Sequence, residues 1–273
     1  MKSVLQKLIL CSLVLGLFSQ CQQNESQLPE FKYESLGLEV YEETHIKGEN
    51  EFAGQWMRYE VALTDKERYL LEVKLEGKNL KMLVGYAPMY LEQLAKDVIL
   101  TQVEKAALSD FADKFSWLLA ENNKAQAGSF TFTAAENTLY RVADLWSSAP
   151  RNMVYKNRVA TINLDKGTGD DGVQCIRKNQ QYTLSYTNAS GAVTTVNRTA
   201  GYNGGGSYKC MGRCGGSCGR WWIPSSWTLD CFEHDECSLQ LNASGGPSDS
   251  NCGDEWWEAA DDWSFGVATG CFG

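Results

Sequence analysis

Histidine is nearly missing from this chain: 273 residues contain two, His45 and His234. Proton chemistry by an imidazole near neutral pH therefore rests on one of two positions. Basic residues are in deficit, 25 Lys and Arg against 34 Asp and Glu, for a formal charge of −9. No basic stripe is available to neutralise phosphates, which argues against a nucleic-acid partner and disfavours electrostatic docking on anionic lipid. An acidic surface attracts calcium instead. A nucleophile elbow of the GxSxG kind is also lacking, which weighs against a Ser-His-Asp hydrolase. Cysteine is absent between Cys21 and Cys175, and this gap divides the chain into a larger cysteine-free part and a small cysteine-dense one.

What is present begins with Lys2, Lys7 and the apolar run Leu8 to Phe18, the charged and hydrophobic regions of an export signal, too short to span a bilayer. The following Leu17-Phe18-Ser19-Gln20-Cys21 resembles a bacterial lipoprotein signal, with Cys21 as the acylated residue; Gln20 departs from the small residue usual before that cysteine. The expected organisation is a signal over 1–20, a polar tether over 21–30 and a folded body in the cell envelope or secreted. Eight cysteines remain, all in the last hundred residues. In an oxidising compartment they predict four disulfides among roughly a hundred pairings. The spacing of Cys210, Cys214, Cys218 and Cys231 lacks the paired CxxC units of a zinc site.

The fold class read from the pattern is α+β. Residues 31–157 form a mixed domain with strand-like Tyr59 to Leu63 and Leu80 to Tyr86, a helical stretch from Tyr90 to Ile99, and helices over Val103 to Glu121 and Ala134 to Trp146. His45 sits in a polar stretch and reads as a surface residue. Residues 158–273 form a second module: strand-like Val159 to Leu164, Val173 to Ile176, Tyr182 to Tyr186 and Val193 to Val196 make a β-ribbon. A glycine-rich loop follows, then helices over Leu229 to Leu241 and Gly253 to Phe265 as antiparallel neighbours.

The segment 230–237 reads Asp-Cys-Phe-Glu-His-Asp-Glu-Cys. In a helix Cys231, His234 and Cys237 fall at i, i+3 and i+6, and Asp235 lies about 100° round from His234. The imidazole handles protons while the carboxylate is placed for a hard cation. The loop Cys210 to Gly219, with four glycines in ten residues, is neither helix nor strand, and such a loop turns carbonyls inward toward a calcium ion. That requires a Cys214–Cys231 bridge to draw the loop onto the helix; without an ion the same cysteines make a disulfide knot. If Cys237 bonds Cys252, Asp254 comes level with the imidazole as its orienting acid, and Asp261 and Asp262 lie about two turns further along. Asp230 is the rival orienter or a helix cap.

Together, Cys214-Gly215-Gly216, Asp230-Cys231 and Glu233-His234-Asp235-Glu236-Cys237 resemble the calcium loop and His-Asp helix of secreted phospholipase A2, over residues 208 to 265. The resemblance implies a hydrolase in which His234 is the general base and Asp254 orients it. It implies Ca2+ held by Asp235 with carbonyls of Gly215, Ser217 and Gly219, and a glycerophospholipid or membrane surface as partner. The sequence departs from that family at Ser217, Cys218 and Ser238, and in having one cysteine before His234 where two are common. Six of nine tryptophans lie between Trp221 and Trp263; Trp221 and Trp222 suit either a bilayer interface or a core, and Trp256 and Trp263 read as core. The alternative is a non-catalytic, disulfide-stapled binding module. The pattern names no oligomeric state.

Overall fold

Period-two alternation of buried and exposed positions builds the first half of the molecule. In a computed structural model, residues 33–272 are described apart from 65, 88, 95–96, 125–131, 150–153, 156–157, 162–171, 203–209, 216–221, 244–248 and 268. The signal, Cys21 and the tether lie outside the described residues. Strands β1 (Leu38–Tyr41), β2 (His45–Phe52), β3 (Gln55–Leu63), β4 (Arg68–Leu75), β5 (Lys78–Tyr86) and β6 (Met89–Gln93) run as an antiparallel meander, and β9 (Arg158–Thr161) closes its far edge against β6. Two short strands, β7 (Val98–Ile99) and β8 (Val154–Tyr155), pair separately.

Ile46, Met57, Tyr59, Val61, Leu71, Val73, Met82 and Val84 are buried, and every second residue between them faces outward. The outward face carries charged pairs such as Arg58 with Glu49 and Lys81 with Glu72. His45 belongs to this face, its Nε2 2.9 Å from Glu60 Oε1. Helix α1 (Gln102–Lys124) buries Ala107, Leu108, Phe111, Phe115, Leu118 and Leu119. The Phe111 ring meets Tyr59 at 4.5 Å and Phe52 at 5.3 Å. Helix α2 (Ala134–Ser148) opens with a capping box between Thr133 and Glu136.

Two sequence expectations are overturned here. The stretch Tyr90 to Ile99 is not helical: β6 is held on both sides, by β5 and by β9, and Leu91 and Gln93 alternate inward as a strand requires. The start of the expected ribbon, Val159 to Thr161, belongs to the large sheet and not to the cysteine-rich module.

That module contains the hairpin β10 (Gln181–Thr187) and β11 (Val193–Thr199), helix α3 (Leu229–Leu241) and helix α4 (Gly253–Phe265). Cys175 makes an isolated bridge to Thr228 rather than lying in a strand. Ile176, Leu184, Ala200, Met211, Trp227 and Phe232 form its core. Disulfides join Cys175 to Cys271, Cys214 to Cys231 and Cys237 to Cys252, and Cys210 is also disulfide-bonded.

Residues Lys32–Gly273 pack as one unit, and the seam between sheet-and-helix part and cysteine-rich part is specific. Trp263 Nε1 donates to the Arg141 carbonyl at 3.1 Å, Asn137 Nδ2 to the Ser264 carbonyl at 2.8 Å, and Phe265 meets Tyr86 edge-on. Trp222 stacks on Trp117 at 4.1 Å, and its Nε1 donates to the buried Ser116 hydroxyl at 3.0 Å. No helix among the described residues is long and apolar enough to cross a membrane.

The seam predicts a graded response at Trp222. Replacement by alanine should cost about 2–4 kcal/mol, since both the stack and the hydrogen bond are lost. Phenylalanine, which keeps the stack, should cost about 1 kcal/mol. Urea titration of the three proteins measures this, and equal midpoints would mean the contact contributes nothing.

Candidate active site

Helix α3 is packed against three neighbours, which bury Asp230, Cys231, Phe232, Glu236, Cys237 and Ser238. Its Phe232 enters the core with Met211, Glu233 Oε1 accepts from the Ser185 amide of β10 at 2.7 Å, and Cys237 bonds Cys252 at the start of α4. Cys231 Sγ lies 3.9 Å from the Ala259 carbonyl oxygen of α4. His234 is three residues from each of these cysteines, so helical geometry puts it on the α4-facing side between them. Its side chain keeps 18 % of its surface exposed, and its Nδ1 is 4.0 Å from Asp235 Oδ1.

Asp235 turns toward the loop instead. Its Oδ2 accepts from the Gly212 amide at 2.9 Å. Gly212 has φ +90°, and a Cβ there would come within 2.7 Å of Ile176 Cδ1; glycine is what lets the loop lie this close to the helix. Arg213 next makes a β-bridge to Trp227, and Cys214 is tied to Cys231 at a Cα–Cα distance of 5.2 Å. Gly215 has φ +117° and a Cβ there would strike the Trp263 ring at 2.5 Å. Burial pushes the Asp235 carboxyl up to about 7, against the opposing pull of the Gly212 amide. A carboxylate that accepts one loop amide could supply the protein charge of a hard-cation site. Of the carbonyls expected to complete it, Gly215 follows the bridged Cys214, while Ser217 and Gly219 lie outside the described residues.

Asp254 departs from its expected place. It is exposed, and its Oδ2 accepts from the Thr187 hydroxyl at 2.5 Å, so its carboxylate is given to β10 rather than to His234. Its neighbour Glu255, unnoticed in the sequence, is buried and accepts from the Thr187 amide at 2.6 Å. Burial and the adjacent Asp254 raise the Glu255 carboxyl to about 7. Burial works against Asp254 too, but hydrogen bonds from Glu255 and Thr187 hold its carboxyl below the ordinary range. Through Thr187 the pair clasps the end of the hairpin to the start of α4.

Asp230 does not cap α3: Thr228 is the N-cap residue. Asp230 is instead buried with Asp261 and Asp262, with carboxylate oxygens within 4.8 Å of one another. Trp222 stacks on Trp117 and stays partly exposed, and Trp221 lies outside the described residues. Trp263 is buried on the Cys214–Cys231 bridge and Trp256 packs beside it, as core residues.

Residues 171–273 are similar to a family described as a domain of unknown function, DUF8213. Neither a curated protein nor a solved structure matches the chain. The matched region begins just before Cys175 and takes in the hairpin, the loop, α3 and α4, so the bridges and the histidine helix fall wholly inside it.

The raised Glu255 carboxyl has a testable sign. A carboxyl raised from about 4.3 in the unfolded chain to about 7 in the folded one stabilises the fold fully below pH 4, and that contribution is lost as pH rises to 7. Glu255→Gln keeps the acceptor for the Thr187 amide and donates to Asp254 at any pH. The variant should melt a few degrees above wild type at pH 8, with the gap closing by pH 5. Parallel curves across that range would remove Glu255 from the account.

Proposed function

We propose that this chain is an exported, calcium-dependent esterase acting on acyl esters of glycerophospholipids, resembling secreted phospholipase A2 through residues 208 to 265. The observation that supports this reading is the double staple around one imidazole: Cys214–Cys231 seats the loop on α3, Cys237–Cys252 seats α4 on it, and His234 and Asp235 lie between the two bridges. The bridges also suit an oxidising compartment outside the cytoplasm.

In this proposal His234 takes a proton from a water molecule, whose oxygen then attacks the acyl carbonyl carbon, and the protonated imidazole returns the proton to the leaving glycerol oxygen. Asp235, with the Gly215, Ser217 and Gly219 carbonyls, would hold calcium. When bound, the ion supplies Lewis-acid stabilisation of the oxyanion that develops on the carbonyl. The staple holds the ring and the carboxylate in fixed relation, which limits the reorganisation needed on reaching the transition state. Asp254 has no part in proton transfer here, because Thr187 and Glu255 engage it. That engagement is also what favours the second reading, a non-catalytic binding module built on the same staple.

Release of fatty acid from phosphatidylcholine vesicles separates the two. Wild type should hydrolyse with calcium and stop with chelator. His234→Gln should fall by about 10³-fold, Asp235→Asn should lose its response to calcium, and Asp254→Asn should stay within about tenfold of wild type. Equal hydrolysis by wild type and His234→Gln would remove the proposed base. No hydrolysis across phosphatidylcholine, phosphatidylglycerol and phosphatidylethanolamine vesicles, with a folded protein, leaves the binding module as the reading.

A further inference from the structure

Where β4 turns into β5, at one end of the large sheet, lies a groove of about 460 Å³. Trp56 and Arg58 of β3, Lys74 of β4 and Asn79 of β5 line it. The period of two puts all four on the outward side, alternating with buried Met57, Leu75 and Leu80. Arg58 stands opposite Lys74, and Lys74 opposite Asn79. Three hydrogen-bonding side chains therefore form a row across adjacent strands, about 4.8 Å apart. Trp56, two residues before Arg58 on the same face, is 57 % exposed. Among the described residues its indole has no ring or hydrogen-bond partner, and neither has the Asn79 carboxamide.

The charges beside the groove are already balanced. Arg58 Nε and Nη2 meet Glu49 Oε2 at 2.6 and 2.5 Å, Lys78 meets Glu104 at 2.7 Å, and Lys74 lies 3.9 Å from Glu72. Glu76 lines the same groove. No surplus charge selects an ion there. The pair with Glu49 fixes the Arg58 fork while Nη1, the Lys74 ammonium and both ends of the Asn79 amide keep hydrogen-bonding capacity.

We propose that this groove binds a neutral saccharide, with one pyranose ring stacked on Trp56 and its hydroxyls bonded to Arg58, Lys74 and Asn79. A pyranose has a face of C–H groups and a rim of hydroxyls that both donate and accept. The electron-rich indole face attracts the C–H groups, and a large ring with two χ angles loses little freedom on binding. The row of polar groups serves the rim. A lipid chain in the same place would cover those groups without pairing them, at a cost in free energy. The groove belongs to the part of the chain before residues 171–273 and does not include His234 or Asp235. The inference therefore stands whether or not the esterase reading does, and it gives the sheet domain a task of its own.

The test is calorimetric titration of the folded chain with cellotriose, maltotriose and triacetylchitotriose. At least one should bind saturably at millimolar concentration or below. Trp56→Ala should weaken binding about tenfold or more, and Trp56→Tyr, which keeps an aromatic face, should stay within about threefold of wild type. Asn79→Ala should weaken it several-fold. Both side chains are exposed, so the variants should melt with wild type, and a lost affinity then reports the groove rather than the fold. No binding of any of the three sugars to wild type, or binding that folded Trp56→Ala leaves unchanged, would overturn the proposal.

Discussion

The two disulfides that grip α3, one from the loop and one from α4, are the constraint on which the rest of the cysteine-rich module depends. This helix is weakly amphipathic and could not be seated by apolar burial alone. Asp230, Glu236 and Ser238 are buried along with Cys231, Phe232 and Cys237, and α4 adds buried Glu255, Asp261 and Asp262. Burying so many carboxyls costs stability unless each is hydrogen-bonded, paired or protonated. Arg198 meets Glu236 at 2.8 Å, and burial with the adjacent Asp254 raises the Glu255 carboxyl. Bridges closing chain separations of 17 and 15 residues each offset about 3 kcal/mol of chain entropy in the usual loop-closure picture. Covalent closure thus holds together an interior that would otherwise favour opening toward water.

The same closure makes a polar site possible. A histidine and an aspartate on a free helix would sample many rotamers and full hydration. Between two bridges, with Gly212 drawn against Asp235, they are partly buried and held in place, and partial loss of water shifts carboxyl groups toward neutral pH. The loop is supported from behind by the other half of the chain, because Leu145 of α2 packs with Cys214, Cys231 and Trp263. The region matching DUF8213 is therefore packed against the preceding domain rather than simply tethered to it.

Legibility in the sequence follows the range of the interactions involved. Helices α1, α2, α3 and α4 could be read from apolar spacing and the polar segments between them, since these depend on neighbours within a few residues. The strand β6 could not, because its partner β9 lies some seventy residues downstream and its short apolar run suits a helix equally well. The stacking partner of Trp222 could not be read either, because Trp117 belongs to a different element.

The candidate site divides in the same way. That His234 lies between two helix cysteines and that Asp235 points elsewhere on the same helix are consequences of 3.6 residues per turn, and the amino-acid order alone determines them. Which cysteines pair, that Gly212 closes on Asp235, that Asp254 turns to Thr187 while the unnoticed Glu255 is buried beside it, and that Trp56 and Asn79 line one groove were decided only by tertiary structure. Side-chain direction about a helix axis is local, but what stands opposite it is set by packing between segments far apart in the chain.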